Sequence, residues 1–521
     1  MQHCRDSRRR WLAQAGALIS SSALPLWVPG ASAQAPSTLN ALPRVALIIG
    51  NTKYMEAPLK NAGNDAKAIA DVLQQMGFQV NLKLDAGRNE MIEAIRGFSG
   101  QLAKQKPVGL FYYAGHGAQL AWRNYLVPVD AEIEKLEDMQ TRAVGLGLLL
   151  EGLVKAGNPM NVIILDACRD NPFGTRVLAR QKGLSQFDAP PGSLLAYATS
   201  PGNTAADGEG ANGLYTEHLL REIRVPEAKI EDVLKRVRLN VRRRSNGQQI
   251  PWESTSLEDD FYFLPPQHLR KLPEAELEKR FNEELALWET VKASREPAPL
   301  EEYLRRYPSG QFSELAQFQL DRVLATLGEK KIEVVASADN PFTKGTARVS
   351  TRYKVGDSYS FRDFDLYTKI ELRSYTFKVT EITDTEVRYN DGLQVSDLLG
   401  NPIKLNTGFR LTPCQFVPVE YSVGKKWTTR YRSTAPNGGW SDVELAFRVT
   451  SREKVMVPAG TFDVYKVEAD GWALQAGLQI KNIFWMAPEI GLAVVREVIR
   501  KQRNGSIRDA ERREMTAYLQ Q

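Results

Sequence analysis

Between residues 44 and 264, short unbroken apolar runs alternate with stretches of helical period. RVALIIGN (44–51) has the pattern of a strand buried on both faces, and NAGNDAKAIADVLQQMG (61–77) that of an amphipathic helix closed by glycine. FQVNLKL opens a second strand, RNEMIEAIRGFSGQLA is helical, and PVGLFYYAGHG is a strand that stops at its glycines. LGLLLEGLVKAG (helix), NVIILDACRDNP (strand), a loop, SLLAYATS (strand) and GLYTEHLLREI (helix) continue the alternation. Apolar strands spaced by helices predict an α/β domain, with a mostly parallel sheet covered by helices on both faces. In such sheets reactive groups gather at the carboxyl ends of the strands.

The texture changes twice further along. Residues 265–330 are helical in pattern, and the YPSG turn inside EEYLRRYPSGQFSELA predicts a helical hairpin. From 340 to 521 apolar and polar residues alternate with frequent turn signals, as in SYTFKVTEITDTEVRYNDG. That alternation predicts a mainly antiparallel β domain, a sandwich or a barrel. Its tryptophans Trp427, Trp440, Trp472 and Trp485 are expected mostly in the core, with a ligand-binding face as the alternative.

Composition adds a leader. Residues 1–33 join a basic start, the modestly apolar WLAQAGALISSSALPLWV and a terminal ASA, the layout of an export signal. SRRRWLAQ (7–14) resembles a twin-arginine signal, which implies a bacterial protein exported already folded, to the periplasm. Membrane anchoring by an uncleaved leader is the alternative, against which stand its prolines and its shortfall from the ~20 apolar residues of a span. The leader carries +3 of the formal net charge of +6, so the remainder is too near neutral to point to nucleic acid.

Removing residues 1–33 leaves two cysteines, Cys168 and Cys414, and three histidines, His116, His218 and His268. Two remote cysteines make no disulfide framework. A cysteine attacks a carbonyl as thiolate, and a nearby imidazole is the usual means of making one. His218 falls within a helix and His268 in a charged, proline-flanked linker, whereas His116 sits between glycines at a strand end. Cys168 ends the next major buried strand, 52 residues on. Neighbouring parallel strands would hold the two across a shallow crevice, with the N–H groups of Gly117 and Cys168 as oxyanion donors. The competing reading makes Cys168 a buried small hydrophobe and His116 a structural imidazole.

RVALIIGNTKY, LKNAGNDAKAIADVLQQMGF, FYYAGHG, IILDACRDNP and LLAYATSPGNTAADGEGANGLYTEHLL together resemble the caspase-like cysteine peptidases, specifically the bacterial metacaspase-like group, over residues 44–264. The resemblance implies a caspase-like fold and a dyad in which His116 is base and later acid and Cys168 the nucleophile. It also implies peptide-bond hydrolysis through an acyl-enzyme. Metacaspases take a basic side chain in an acidic pocket, and the resemblance puts Asp166 in that pocket, with Asp207 as the second carboxylate. Turn-capping roles are the alternatives for both. By the same resemblance, the loop GTRVLARQKGLSQFDAPPG is a candidate for self-cleavage after Arg176, Arg180 or Lys182, against a plain solvated loop.

The expected partners are therefore protein or peptide substrates with basic residues, plus a protein or envelope ligand for the β domain. GEGANG lacks the strand that a dinucleotide site needs, and no zinc or EF-hand spacing is present, so no metal site is assigned. Calcium, held in some metacaspase relatives by scattered carboxylates, stays open. The run RLNVRRRSNG (238–247) is expected to be a solvated helix face. The rival reading is a non-proteolytic periplasmic binding or scaffold protein on a caspase-like fold.

Overall fold

Arg44–Gly50 (β1) buries every residue after its arginine, as its unbroken Val-Ala-Leu-Ile-Ile run requires. Each such aliphatic side chain contributes about 1.5–3 kcal/mol through burial. The computed structural model describes residues 38–167, 183–200, 210–226, 228–257, 259–265, 273–308, 310–328 and 347–521. After β1 come α1 (Ala62–Gln75), β2 (Phe78–Leu84), α2 (Arg88–Gln105) and β3 (Val108–Ala114). Then follow β4 (Gly117–Leu120), β5 (Arg123–Leu126), the short α3 (Met139–Arg142), β6 (Val144–Gly145), α4 (Leu146–Ala156) and β7 (Met160–Asp166). β8 (Ser193–Tyr197), α5 (Leu214–Glu222), α6 (Ile230–Arg244) and β9 (Trp252–Thr255) complete this part.

Among the described residues the main sheet runs β2-β1-β3-β7-β8-β9, parallel except for β9. β3 and β7, the strands that lead to His116 and Cys168, are immediate neighbours. Their register aligns Gly50, Ala114 and Asp166 in one row at the carboxyl ends of β1, β3 and β7. α1 closes on Gly77 at φ 81°, and α4 on Gly157 at φ 56°, both left-handed positions where glycine carries no Cβ penalty.

The β4–β5 hairpin and β6 form a small second sheet that the hydrophobic pattern does not predict. Leu120 pairs with Arg123, so the loop is the two residues Ala121 and Trp122, at φ 47° and 65°. Two positive φ values mark a type I′ turn, which is usually signalled by Asn-Gly. Ala-Trp carries no such signal, and the hairpin is invisible for that reason.

Three helices follow, α7 (Glu274–Val291), α8 (Pro297–Arg306) and α9 (Ser313–Thr326). Buried Glu284 of α7 ties them together, accepting the Tyr303 hydroxyl at 2.6 Å and the Phe312 N–H at 3.2 Å. The basic run is only in part a solvated face: Arg243 and Arg244 are exposed, but most of its arginines are paired. Arg236 meets Glu222 of α5 and Arg238 meets Glu253 of β9, while Arg242 and Arg243 reach Asp321 of α9 and Glu301 of α8. Leu239 joins the apolar cluster of the helical segment. A run of arginines thus serves as an internal docking face, because acids on four packed elements stand opposite it.

The carboxyl-terminal part opens with β10 (Ala347–Arg348), β11 (Ser358–Asp365), β12 (Glu371–Ile382), β13 (Glu386–Tyr389), β14 (Gln394–Asp397), β15 (Pro402–Lys404) and β16 (Arg410–Leu411). It ends with β17 (Glu420–Tyr421), β18 (Lys426–Thr434), β19 (Trp440–Val457), β20 (Gly460–Ala473), β21 (Leu478–Ala487), β22 (Leu492–Gln502) and β23 (Ile507–Leu519). β10 pairs with β17, and the other twelve close an antiparallel barrel in which β23 returns to β11. The alternative of an open sandwich is thereby decided in favour of the barrel, and closure removes exposed sheet edges.

Two of the four tryptophans depart from the expected core placement: Trp440 and Trp472 are 48% and 42% exposed, while Trp427 and Trp485 are partly buried and pack against the apolar clusters. Cations lie over two of the rings: Arg432 is 4.2 Å from the Trp440 ring centre, and Lys466 5.6 Å from that of Trp485. Trp427 instead stacks on Phe447, with ring centres 5.0 Å apart.

Glu314 of α9 seats the helical segment on the barrel, accepting Lys425 Nζ at 2.6 Å and the Val419 N–H at 3.0 Å. Burial pushes this carboxyl up, but Lys425 and its donors outweigh burial and hold it below the ordinary glutamate value. A lowered folded-state value means that this stabilisation is complete above the unfolded glutamate pKa and is lost as pH falls through the lower folded one. Glu314→Gln is therefore expected to cost about 1–3 kcal/mol near neutrality and progressively less below about pH 4.5, as read by urea unfolding at several pH values.

Candidate active site

His116 lies two residues beyond β3, just where the chain turns into β4, and is 3% exposed. Its placement is over-determined. The backbone N–H donates to the Tyr54 hydroxyl at 2.9 Å, and the carbonyl accepts the Tyr113 hydroxyl at 2.8 Å and the Val127 N–H at 3.0 Å. The ring packs against that of Tyr54, centres 4.4 Å apart. Nε2 stands 2.7 Å from the carbonyl oxygen of Ala57. A carbonyl only accepts, so Nε2 carries the proton and Nδ1 is the basic nitrogen of the neutral ring. Ala57 itself sits at φ 52°, a strained conformation for alanine that aims its carbonyl at the ring.

Gly117 follows directly. Because the Val127 N–H bonds the His116 carbonyl, the next pair, Gly117 with Leu126, is of the non-hydrogen-bonded kind. The Gly117 N–H therefore points away from β5. A Cβ here would stand 2.8 Å from the Ala167 carbonyl and 3.0 Å from the Ala167 Cβ. Glycine is required by this approach, and the approach brings the chain next to the residue that precedes Cys168. Cys168, Asp207, Arg176, Arg180, Lys182 and His268 lie outside the described residues.

The other described cysteine and histidine have quieter roles. Cys414 is 1% exposed, its thiol faces the Pro402 carbonyl, and burial pushes that thiol well above its ordinary value. It stays protonated and unreactive. His218 of α5 stands with Nδ1 3.0 Å from Arg221, and burial together with that cation lowers its pKa.

Asp166, 1% exposed, ends β7 in the same row as Ala114. The Thr216 hydroxyl donates to its Oδ2 at 3.0 Å, and the Tyr112 hydroxyl completes a relay by donating to Thr216 at 2.6 Å. A second carboxylate shares this ground: Asp65, fully buried in the first turn of α1. It accepts the Asn212 amide and the Gly213 N–H, each at 2.9 Å, the latter at the start of α5 where the helix dipole favours an anion. Burial pushes the Tyr112 hydroxyl well above its ordinary range, and Asp166 and then Asp65 push it further, so both acids lie within electrostatic reach of one phenol. Asp65 was not singled out from the sequence, yet a signal existed: it occupies the apolar face of α1, with Ala62, Ala66, Ile69, Val72 and Leu73.

No group of three or more His, Cys, Asp or Glu side chains among the described residues is disposed to hold a metal ion. No described helix is long and apolar enough to cross a membrane.

Comparison with known proteins agrees with this geometry at the level of family. The family model for the caspase domain matches residues 43–262. The mucosa-associated lymphoid tissue lymphoma translocation protein 1 homolog of Mus musculus is 30% identical over 181 residues, 34% of this chain and 21% of its own length. The corresponding protein of Homo sapiens gives the same identity and coverage. The matched region thus spans about a fifth of the length of these curated relatives.

Proposed function

Taking residues 43–262 as a cysteine-peptidase domain of the caspase family, we propose that the protein is an endopeptidase that cleaves after arginine or lysine. In this reading Cys168 attacks the scissile carbonyl, His116 takes the thiol proton through Nδ1 and returns it to the leaving amine, and water then hydrolyses the acyl-enzyme. Gly117 and Cys168 supply N–H donors to the oxyanion. The observation that supports this most is the contact of Gly117 with Ala167, beside an imidazole whose Nε2 is already committed to Ala57. Asp166 and Asp65 form the acidic floor for the basic side chain, a role in which Asp207 remains a further candidate. Two buried carboxylates at the strand ends present the charge and acceptors that a guanidinium or ammonium takes.

Export of the chain by residues 1–33 and self-cleavage after Arg176, Arg180 or Lys182 belong to the same proposal. The test is turnover of fluorogenic peptides ending in Arg, Lys or Asp by the full chain under reducing conditions, with and without calcium, beside Cys168→Ala. Arg and Lys peptides are expected to be cleaved about 10²-fold faster than Asp peptides, and the variant to be silent. Equal silence of both proteins would sink the proposal and favour the binding or scaffold reading.

A further inference from the structure

Over much of its height the interior face of the barrel is apolar: Val443, Leu445, Phe447 and Val449 of β19 stand beside Val467 and Ala469 of β20. Further round the barrel the same face turns ionic. The register runs from Phe484 to Arg496, from Arg496 to Arg513, from Arg513 to Asp363 and from Asp363 to Arg373, crossing β21, β22, β23, β11 and β12. Beside this row Ile480, Arg500 and Asp509 form another.

Most of these charges are matched. Asp363 takes Arg513 at 3.1 Å and Arg373 at 2.7 Å, Arg373 also reaches Glu511 at 2.8 Å, and Arg500 reaches Asp509 at 2.6 Å. Four guanidinium groups therefore face three carboxylates, and the excess sits on Arg496. Among the described residues Arg496 has no carboxylate partner; its charge lies 5.6 Å from the centre of the Phe484 ring, and its buried Nε–H has no acceptor. Burial, with repulsion from Arg513 and Arg500, brings this guanidinium down to about 10, so it still carries its charge at neutral pH. The residue is nevertheless only half-buried, so space of solvent size adjoins a cation that bulk water does not hydrate well.

A second orphan on this face is an acceptor, which marks the interior as incompletely packed and is not itself a partner for a carboxylate. Asn482, opposite Val498 and so on the same face as Arg496, is 2% exposed, and its side-chain oxygen has no donor. Unsatisfied polar groups at such depth are costly and rare. Around them stand Phe484, Phe447, Phe416 and Tyr431, with Phe416 5.5 Å from Phe447 and 5.6 Å from Tyr431 between ring centres.

We propose that the barrel interior binds an organic anion, a carboxylate with an apolar body, whose carboxylate is forked on Arg496 and whose body lies against Phe416, the half-buried ring of this cluster. A guanidinium presents paired N–H donors that match a carboxylate, and the missing fourth negative charge is then supplied by the ligand. Phe416, half-buried where Phe484 and Phe447 are buried, distinguishes such a ligand from a small inorganic anion, which would leave that ring uncovered.

The probes are octanoate, octanol with the same body and no charge, and inorganic phosphate, each titrated calorimetrically into the full chain. Octanoate is expected to bind at least tenfold more tightly than either control and to raise the unfolding temperature with concentration. Arg496→Met should weaken octanoate binding tenfold or more, and Arg496→Lys should weaken it less. Without ligand, Arg496→Met should unfold no earlier than the wild type, since it removes an unmatched charge. Absence of octanoate binding at millimolar concentration, equal binding of phosphate or octanol, or undiminished binding by Arg496→Met would each overturn the proposal. Should that variant not fold, the three probes on the wild type decide the matter alone.

Discussion

His116→Ala is expected to lower kcat/KM for peptide hydrolysis by about 10³-fold, within the range a positioned general base contributes. The effect follows from how completely the surroundings commit this ring. The tilted Tyr54 ring packs against it, the Tyr54 hydroxyl accepts its backbone N–H, and Ala57 fixes the proton on Nε2. Only Nδ1 is then basic, and only one tautomer exists to accept a thiol proton. Nothing similar surrounds His218, which leans on Arg221 in α5. The loss should appear in kcat/KM over the whole pH range while circular dichroism stays unchanged, because the backbone bonds of residue 116 survive the substitution. Retention of activity within tenfold of wild type would mean that the proton leaves by another route.

Asp166→Asn and Asp65→Asn should each reduce kcat/KM for Arg and Lys peptides by about 10²-fold, mainly through KM. Truncating one partner of a desolvated charge pair costs about 2–5 kcal/mol, of which 2.7 corresponds to that factor. Asparagine keeps an acceptor for the Thr216 hydroxyl or for the Gly213 N–H, so the relay from Tyr112 and the start of α5 persist. What changes is charge alone. Peptides with a neutral side chain before the scissile bond should be cleaved as fast as before or faster. A uniform loss across all peptides would assign the acids a structural role instead.

How far the site was legible in the chain depended on which interactions are local. The unbroken apolar runs of β1, β3 and β7 announce a parallel sheet, and the glycines around His116 announce a crowded turn. Asp65 could have been found as a charge on an apolar helix face, but what it accompanies 101 residues away depends on the strand order. The arginines of α6 read as solvent-facing because their partners, Glu253, Glu301 and Asp321, lie on elements that sequence spacing cannot bring near. The β4–β5 hairpin was hidden by a turn made of unusual residues, and the matched charges inside the barrel depend wholly on strand register.

The arginine seam on α6 bears on how the peptidase portion can be handled. A chain ended after Phe263 would strip Arg242 and Arg243 of Asp321 and Glu301 and hand Leu239 to water. α6 packs on α5, whose first residues hold Asp65 and Asp166 in place. Truncation would thus loosen from behind the ground of the proposed specificity pocket, so an isolated fragment would be a poor proxy for the whole chain even if it stayed in solution.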